Sequence, residues 1–168
     1  MQTPTYVYKP TWVANTFLVR GRNDGVTDIS PLKIQKLVYF FHGWHLATTG
    51  CPAVGERFEA WPNGPVLSSL YHQFKKFRWH TITSYANDVD PITGEEKASV
   101  VAASDEQFHE IFNAVWDRYK AFSGQELSDM THAPDTPWSY AREHGLQYIS
   151  DERIREFFVA LGKRAVAA

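Results

Sequence analysis

The sequence predicts a mainly α fold: a compact bundle of six or seven helices around a buried central helix, with a small β-hairpin or strand element. Three observations predict it. Helix-start signals recur along the chain, as Ser30-Pro31, Ser123 with Glu126, Thr136-Pro137 and Ser150-Asp151. Apolar residues recur at helical spacing in most of the segments that follow. One of those segments, Pro31 to Thr48, is apolar on nearly every side, which marks a helix enclosed by its neighbours. The 168 residues are 43% hydrophobic and 15% aromatic, enough for one core, and residues 1–168 are read as a single domain.

Residues 1–9 are expected to be an extended lead-in. Pro10 or Thr11 opens a first helix with Val13, Phe17 and Leu18 inward, and Asp24-Gly25 makes a turn. The central helix follows. Ser30 caps it, and Gly50 with Pro52 ends it. The segment ERFEAW reads as extended and leads into Trp61-Pro62-Asn63-Gly64-Pro65, a turn in which Gly64 permits positive φ. Pro65 is expected to start another helix with Val66, Leu70, Phe74 and Phe77 on one stripe.

Periodicity fails from His80 to Val101, where Thr81–Thr83 is expected to pair with Ser99–Val101 as a hairpin. Ser104 with Gln107 reads as a capping box for a helix on which Phe108, Ile111, Phe112, Val115 and Tyr119 face inward. Three further helices follow: one from Ser123 to about His132, one from Thr136 to about Glu143, and a last one capped by Ser150-Asp151.

Chemistry is sparse. The formal net charge is −2, so no global basic field recruits nucleic acid, although a local patch stays open. The single cysteine, Cys51, has no partner for an internal disulfide, which suits a reducing cytoplasm. No apolar run reaches the ~18 residues of a membrane span, and no basic-then-apolar leader opens the chain. His42 and His45 lie three apart, but nothing at helical spacing completes a metal set. No P-loop, dinucleotide fingerprint or nucleophile elbow is present. No catalytic residue, metal or cofactor is expected.

Binding features are more evident. A helix beginning at Pro65 would leave the amides of Val66 and Leu67 free for an anion or a partner's carboxylate. Trp61 beside the turn is either a core anchor or an interface residue. Lys33 and Lys36 are neighbours on the central helix, as a solvated edge or as a basic rim around a partner site. His132 and Trp138 flank a proline-rich bend, and either lock two helices or line a pocket beside the Gly64-Pro65 turn.

Two ordered blocks carry a family resemblance. The first contains Leu32-Lys33-Ile34-Gln35-Lys36-Leu37-Val38-Tyr39, then Glu59-Ala60-Trp61 with Gly64-Pro65-Val66, then Tyr71 to Lys75. The second contains Leu127-Ser128, Thr131-His132 and Pro137-Trp138. Together they resemble the Panacea domain, the SocA-type antitoxin family also found on phage and prophage genes, over roughly residues 13–140. Ile34 stands where a leucine is usual, and NDVDPITGEE has the look of an insert.

The resemblance implies a non-enzymatic antitoxin that binds and neutralises a cognate protein toxin, usually encoded by an adjacent gene. It leaves open an adaptor that delivers a toxin or host protein to a protease or chaperone, and a phage-encoded modulator of a host protein. The partner-binding residues expected on this reading are Lys33, Lys36, Tyr39, Trp61, Asn63, Gly64, Pro65, Tyr71, His132 and Trp138.

Overall fold

The structure of the protein, a computed structural model, describes residues 7–167. Most of the expected lead-in, residues 1–6, lies outside that span; Tyr8 forms a parallel bridge with Val54. Seven α-helices follow among the described residues: α1 (Pro10–Asn23), α2 (Pro31–Thr49), α3 (Ser68–Phe74), α4 (Glu106–Tyr119), α5 (Gly124–His132), α6 (Pro137–Glu143) and α7 (Asp151–Ala167). Two small antiparallel pairs complete the set, β1 (Glu59–Trp61) with β2 (Gly64–Val66) and β3 (Asp88–Val89) with β4 (Glu96–Lys97). The predicted mainly α class stands.

Helix α2 is the centre. Ser30 accepts from the Lys33 amide, Pro31 takes the first position, and Gly50 closes the helix in the left-handed region at φ +75°. Its side chains are buried from Lys33 to Gly43, and α1, α3, α4, α5 and α7 all pack on it. Helix α7 crosses closely at Gly43, where an added Cβ would sit 2.2 Å from the Phe158 ring. Rings fill the remaining space: Phe40 stacks on Tyr119 at 4.3 Å, and Phe17 meets Phe112 at 4.5 Å. The expected capping box at Ser123 forms, the Thr136 cap before Pro137 forms and is completed by Ser139 into a box of its own, and Ser150 accepts from the Arg153 amide at the start of α7.

Three expectations are corrected. No helix starts at Pro65: residues 64–66 form β2, and α3 begins at Ser68. Asp105, not Ser104, caps α4 through the Phe108 amide. The expected pairing of 81–83 with 99–101 is replaced by β3 with β4, while the Ile82 amide donates to the Ile29 carbonyl. The absence of periodicity between residues 80 and 101 has a physical cause, because side chains of α1 hold this segment. Asn15 donates to the Ala86 and Ser99 carbonyls and accepts from the Ala86 amide, and Thr16 accepts from the Val101 amide. Polar side chains thus do the work that a strand ladder does elsewhere.

Candidate functional site

The β1–β2 hairpin is held from one side by alternate carbonyls. Alternate backbone carbonyls along this segment point the same way, so those of Asn63, Pro65 and Leu67 face the helices together. Ser128 Oγ donates to the Asn63 carbonyl at 2.7 Å, Lys36 Nζ to that of Pro65 at 3.1 Å, and Gln35 Nε2 to that of Leu67 at 3.0 Å. The Leu67 amide returns a bond to Gln35 Oε1 at 2.9 Å. The residues between them pair with β1 in the register Glu59–Val66 and Trp61–Gly64. Pro65 lacks an N–H, but its nitrogen faces α2, so no ladder bond is lost.

This arrangement fills the anion site expected at Val66 and Leu67. Leu67 is bonded to Gln35, and the Ser69 amide donates to Glu56 of the same chain.

Helix α6 holds β1 from another direction. Trp138 Nε1 donates to the Trp61 carbonyl at 2.8 Å, and Arg142 donates to that of Ala60 at 3.1 Å. The extended residues beside β1 add two backbone bonds, Ala60 amide to Gln147 carbonyl and Ile149 amide to Phe58 carbonyl. His132 stacks on Trp138 with centroids 4.0 Å apart. Its buried Nε2 has no hydrogen-bond partner, and desolvation, then the nearby Lys36, push its pKa down. Gly64, at φ +108°, is the point of closest approach: an added Cβ would lie 2.6 Å from Lys36 Cε and 2.8 Å from Thr131 Oγ1.

The ten residues expected to bind a partner therefore separate by depth. Lys36, Gly64, Pro65, Trp61, His132 and Trp138 come together at the hairpin. Asn63 is exposed at its tip, and Tyr71 is 41% exposed with its ring 4.8 Å from Trp61. Trp61 is half-buried, its indole N–H held by Glu59 at 2.9 Å.

Lys33 and Lys36 form no solvated edge, because both are fully buried. Lys33 bonds Asp28 at 2.7 Å and the Lys120 carbonyl at 2.8 Å, a different junction from the hairpin. Burial without a carboxylate lowers the Lys36 pKa to about 7. Tyr39 is buried against Phe58 and Phe158, and desolvation pushes its phenol pKa up.

His42 and His45, the eye-catching pair of α2, are both buried and bonded within the chain, His42 Nε2 to Asp151 at 2.8 Å and His45 Nδ1 to the Cys51 carbonyl at 2.8 Å. The bond from the Val54 amide to His42 Nδ1 assigns the ring proton to Nε2. Among the described residues no group of three or more His, Cys, Asp or Glu is placed to hold a metal ion, and no helix is long and apolar enough to cross a membrane.

Sequence reasoning missed Gln35 and Arg142 as holders of the hairpin. A signal for the first existed: a glutamine in a helix apolar on all sides must find a buried partner.

The two blocks of the sequence thus meet in space at one hairpin. The family described as antitoxin SocA-like, Panacea domain, matches residues 34–139. The chain belongs to this Panacea family. Antitoxin SocA of Caulobacter vibrioides (strain NA1000 / CB15N) is 34% identical over 110 residues, which cover 66% of this chain and 58% of that relative. The match thus spans less than two thirds of the relative's length. No solved structure matches. Within the span matched by the Panacea model, Gln35, Lys36, Ser128 and Trp138 are the residues that clamp the hairpin.

Proposed function

We propose that this protein is an antitoxin that neutralises a protein toxin by direct binding, acting in the cytoplasm on a partner encoded by an adjacent gene. The observation that carries the reading is the depth sorting of the Panacea residues. A clamp of buried Gln35, Lys36 and Ser128 with half-buried Trp138 fixes a short hairpin that presents Trp61 and Asn63 beside Tyr71 of α3. A rigid aromatic pair beside an exposed polar tip has the composition of an interface hot spot, where a few residues carry most of the binding energy. Lys36, Gly64 and Pro65 contribute by holding that face in shape, whereas Lys33 and Tyr39 are committed to other junctions of the core. His132 and Trp138 buttress it from behind.

Direct binding blocks a toxin without any reaction, so the reading calls for no catalytic group. The test is growth rescue. The adjacent gene is expressed alone and then with this chain, either wild type or carrying Trp61→Ala or Tyr71→Ala. Wild type restores growth, and the two variants, at equal soluble level, restore less. Full rescue by both variants places the toxin-binding face elsewhere.

A further inference from the structure

The net charge of −2 conceals a local excess of the opposite sign. Residues 60–87 contain no Asp or Glu, in a chain with 19 of them, and within that stretch His72, Lys75, Lys76, Arg78 and His80 crowd into nine positions. Helix α3 ends there in a single 3₁₀ turn, Lys75–Phe77. Phe74 is buried and Phe77 packs against the core, so the turn is anchored from beneath. Its outer side carries Lys75, Lys76, Arg78, Trp79 and His80, all exposed.

None of the three permanent cations makes an ion pair among the described residues. The acids that flank the stretch are already engaged: Glu56 by Ser69, Glu59 by Trp61 and Gln147, and Asp88 by Thr11 and Trp12. Arg78 has positive φ (54°), and the next residue, Trp79, is 73% exposed, with the His80 ring against it. The patch continues toward the hairpin face, because Tyr71 touches both Trp61 and His72, and His72 touches Lys75.

We infer that the turn 72–80 is a second docking surface, and that it fits an acidic segment of a partner protein carrying an apolar side chain to cover Trp79. The inference rests on the reading that this chain binds a protein, and adds the chemistry of that protein's surface. Charge complementarity selects the sign of the partner: three unpaired cations with no acid among them attract carboxylates and repel bases. Trp, Tyr and Arg on one continuous strip are the residues enriched at protein hot spots. Three cations fall short of the roughly 6–10 phosphate contacts of a typical nucleic-acid interface, and the rest of the chain is acidic.

The test uses the full chain, labelled for amide and indole NMR, and three probes: a short peptide of Glu and Asp around one Leu, its Gln and Asn counterpart, and a thymidine octanucleotide. The expected result is a shift of the Trp79 indole N–H and the 75–80 amides with the acidic peptide, binding about 10-fold tighter than its neutral counterpart. Raising salt from about 50 to about 300 mM removes most of that difference. The K75E/K76E/R78E variant, altered only at exposed positions, keeps its melting temperature and loses the response.

No binding of the acidic peptide, equal binding of the neutral one, or shifts confined to other residues overturns the inference. Tighter binding of the oligonucleotide than of the acidic peptide overturns it in favour of nucleic acid. Any of these leaves toxin binding at Trp61 to be judged separately by the growth-rescue variants, in which the 72–80 turn is intact.

Discussion

Replacing Gly64 with alanine perturbs the hairpin clamp by a single methyl group. Two costs add. The backbone at φ +108° is a region that L side chains rarely adopt, a strain of about 1–3 kcal/mol. The new Cβ would also lie 2.6 Å from Lys36 Cε and 2.8 Å from Thr131 Oγ1. Neither neighbour retreats freely, because Lys36 Nζ is held by the Pro65 carbonyl and Thr131 Oγ1 by that of Ser128. Overpacking of this kind costs about 1–3 kcal/mol more. A total near 4 kcal/mol lowers the melting temperature of a chain of this length by about 8–16 °C. Gly25→Ala is the control: it also sits at positive φ, +70°, but nothing lies within 4 Å of its Cβ. It is expected to cost only the conformational term, roughly 1–2 kcal/mol. Thermal melts followed by circular dichroism compare the two. If Gly64→Ala melts within about 3 °C of Gly25→Ala, the close approach of α2 and α5 to the hairpin is not what fixes Gly64.

Gln35→Leu keeps a similar volume but strands the buried N–H and C=O of Leu67, each about 1–3 kcal/mol. Urea unfolding should therefore lose about 2–5 kcal/mol, and a loss below about 1 kcal/mol would contradict the pairing. The buried Lys36 makes a pH prediction. Its pKa is about 7 in the fold against an ordinary lysine value of 10.5, so between these the unfolded chain binds a proton that the folded chain does not. Stability from this group is fully present above 10.5 and is lost as pH falls toward 7, on the order of 5 kcal/mol in all. Lys36→Met has no such proton. Its stability relative to wild type is expected to be highest at about pH 6 and to decline steadily toward about pH 10; a pH-independent difference refutes the desolvated amine.

The parts of the fold readable from sequence are those set by neighbours along the chain. Ser30-Pro31 and Gly50 bound α2 because a cap, a fixed φ and a left-handed residue act within one turn. The capping boxes at Ser123 and Thr136 are local in the same way. Pro65 misled because its signal is ambiguous: a missing N–H suits the first turn of a helix and equally the side of a strand that faces away from its ladder. The Gln35–Leu67 pairing, a contact 32 residues apart, decides between them.

Lys33 and Lys36 read as a rim because lysines are almost always exposed. What overrides that rule is a carbonyl or carboxylate brought to each from a distant segment. The meeting of Trp61, His132 and Trp138 was one of two alternatives open in the sequence, since nothing in their spacing brings residue 61 to residue 138. The basic turn at 72–80 was plain in the residues, and whole-chain charge hid it.

The most direct test of the central claim is calorimetric titration of the purified toxin from the adjacent gene with wild type and Trp61→Ala. Removing this ring leaves the bond from the Trp138 indole N–H to the Trp61 backbone carbonyl in place, so the variant is expected to melt with wild type. The account predicts a saturable complex with wild type and a Kd at least about 30-fold weaker with the variant, the loss of a hot-spot side chain worth about 2 kcal/mol or more. Equal affinity of the two proteins, with both folded, would contradict it.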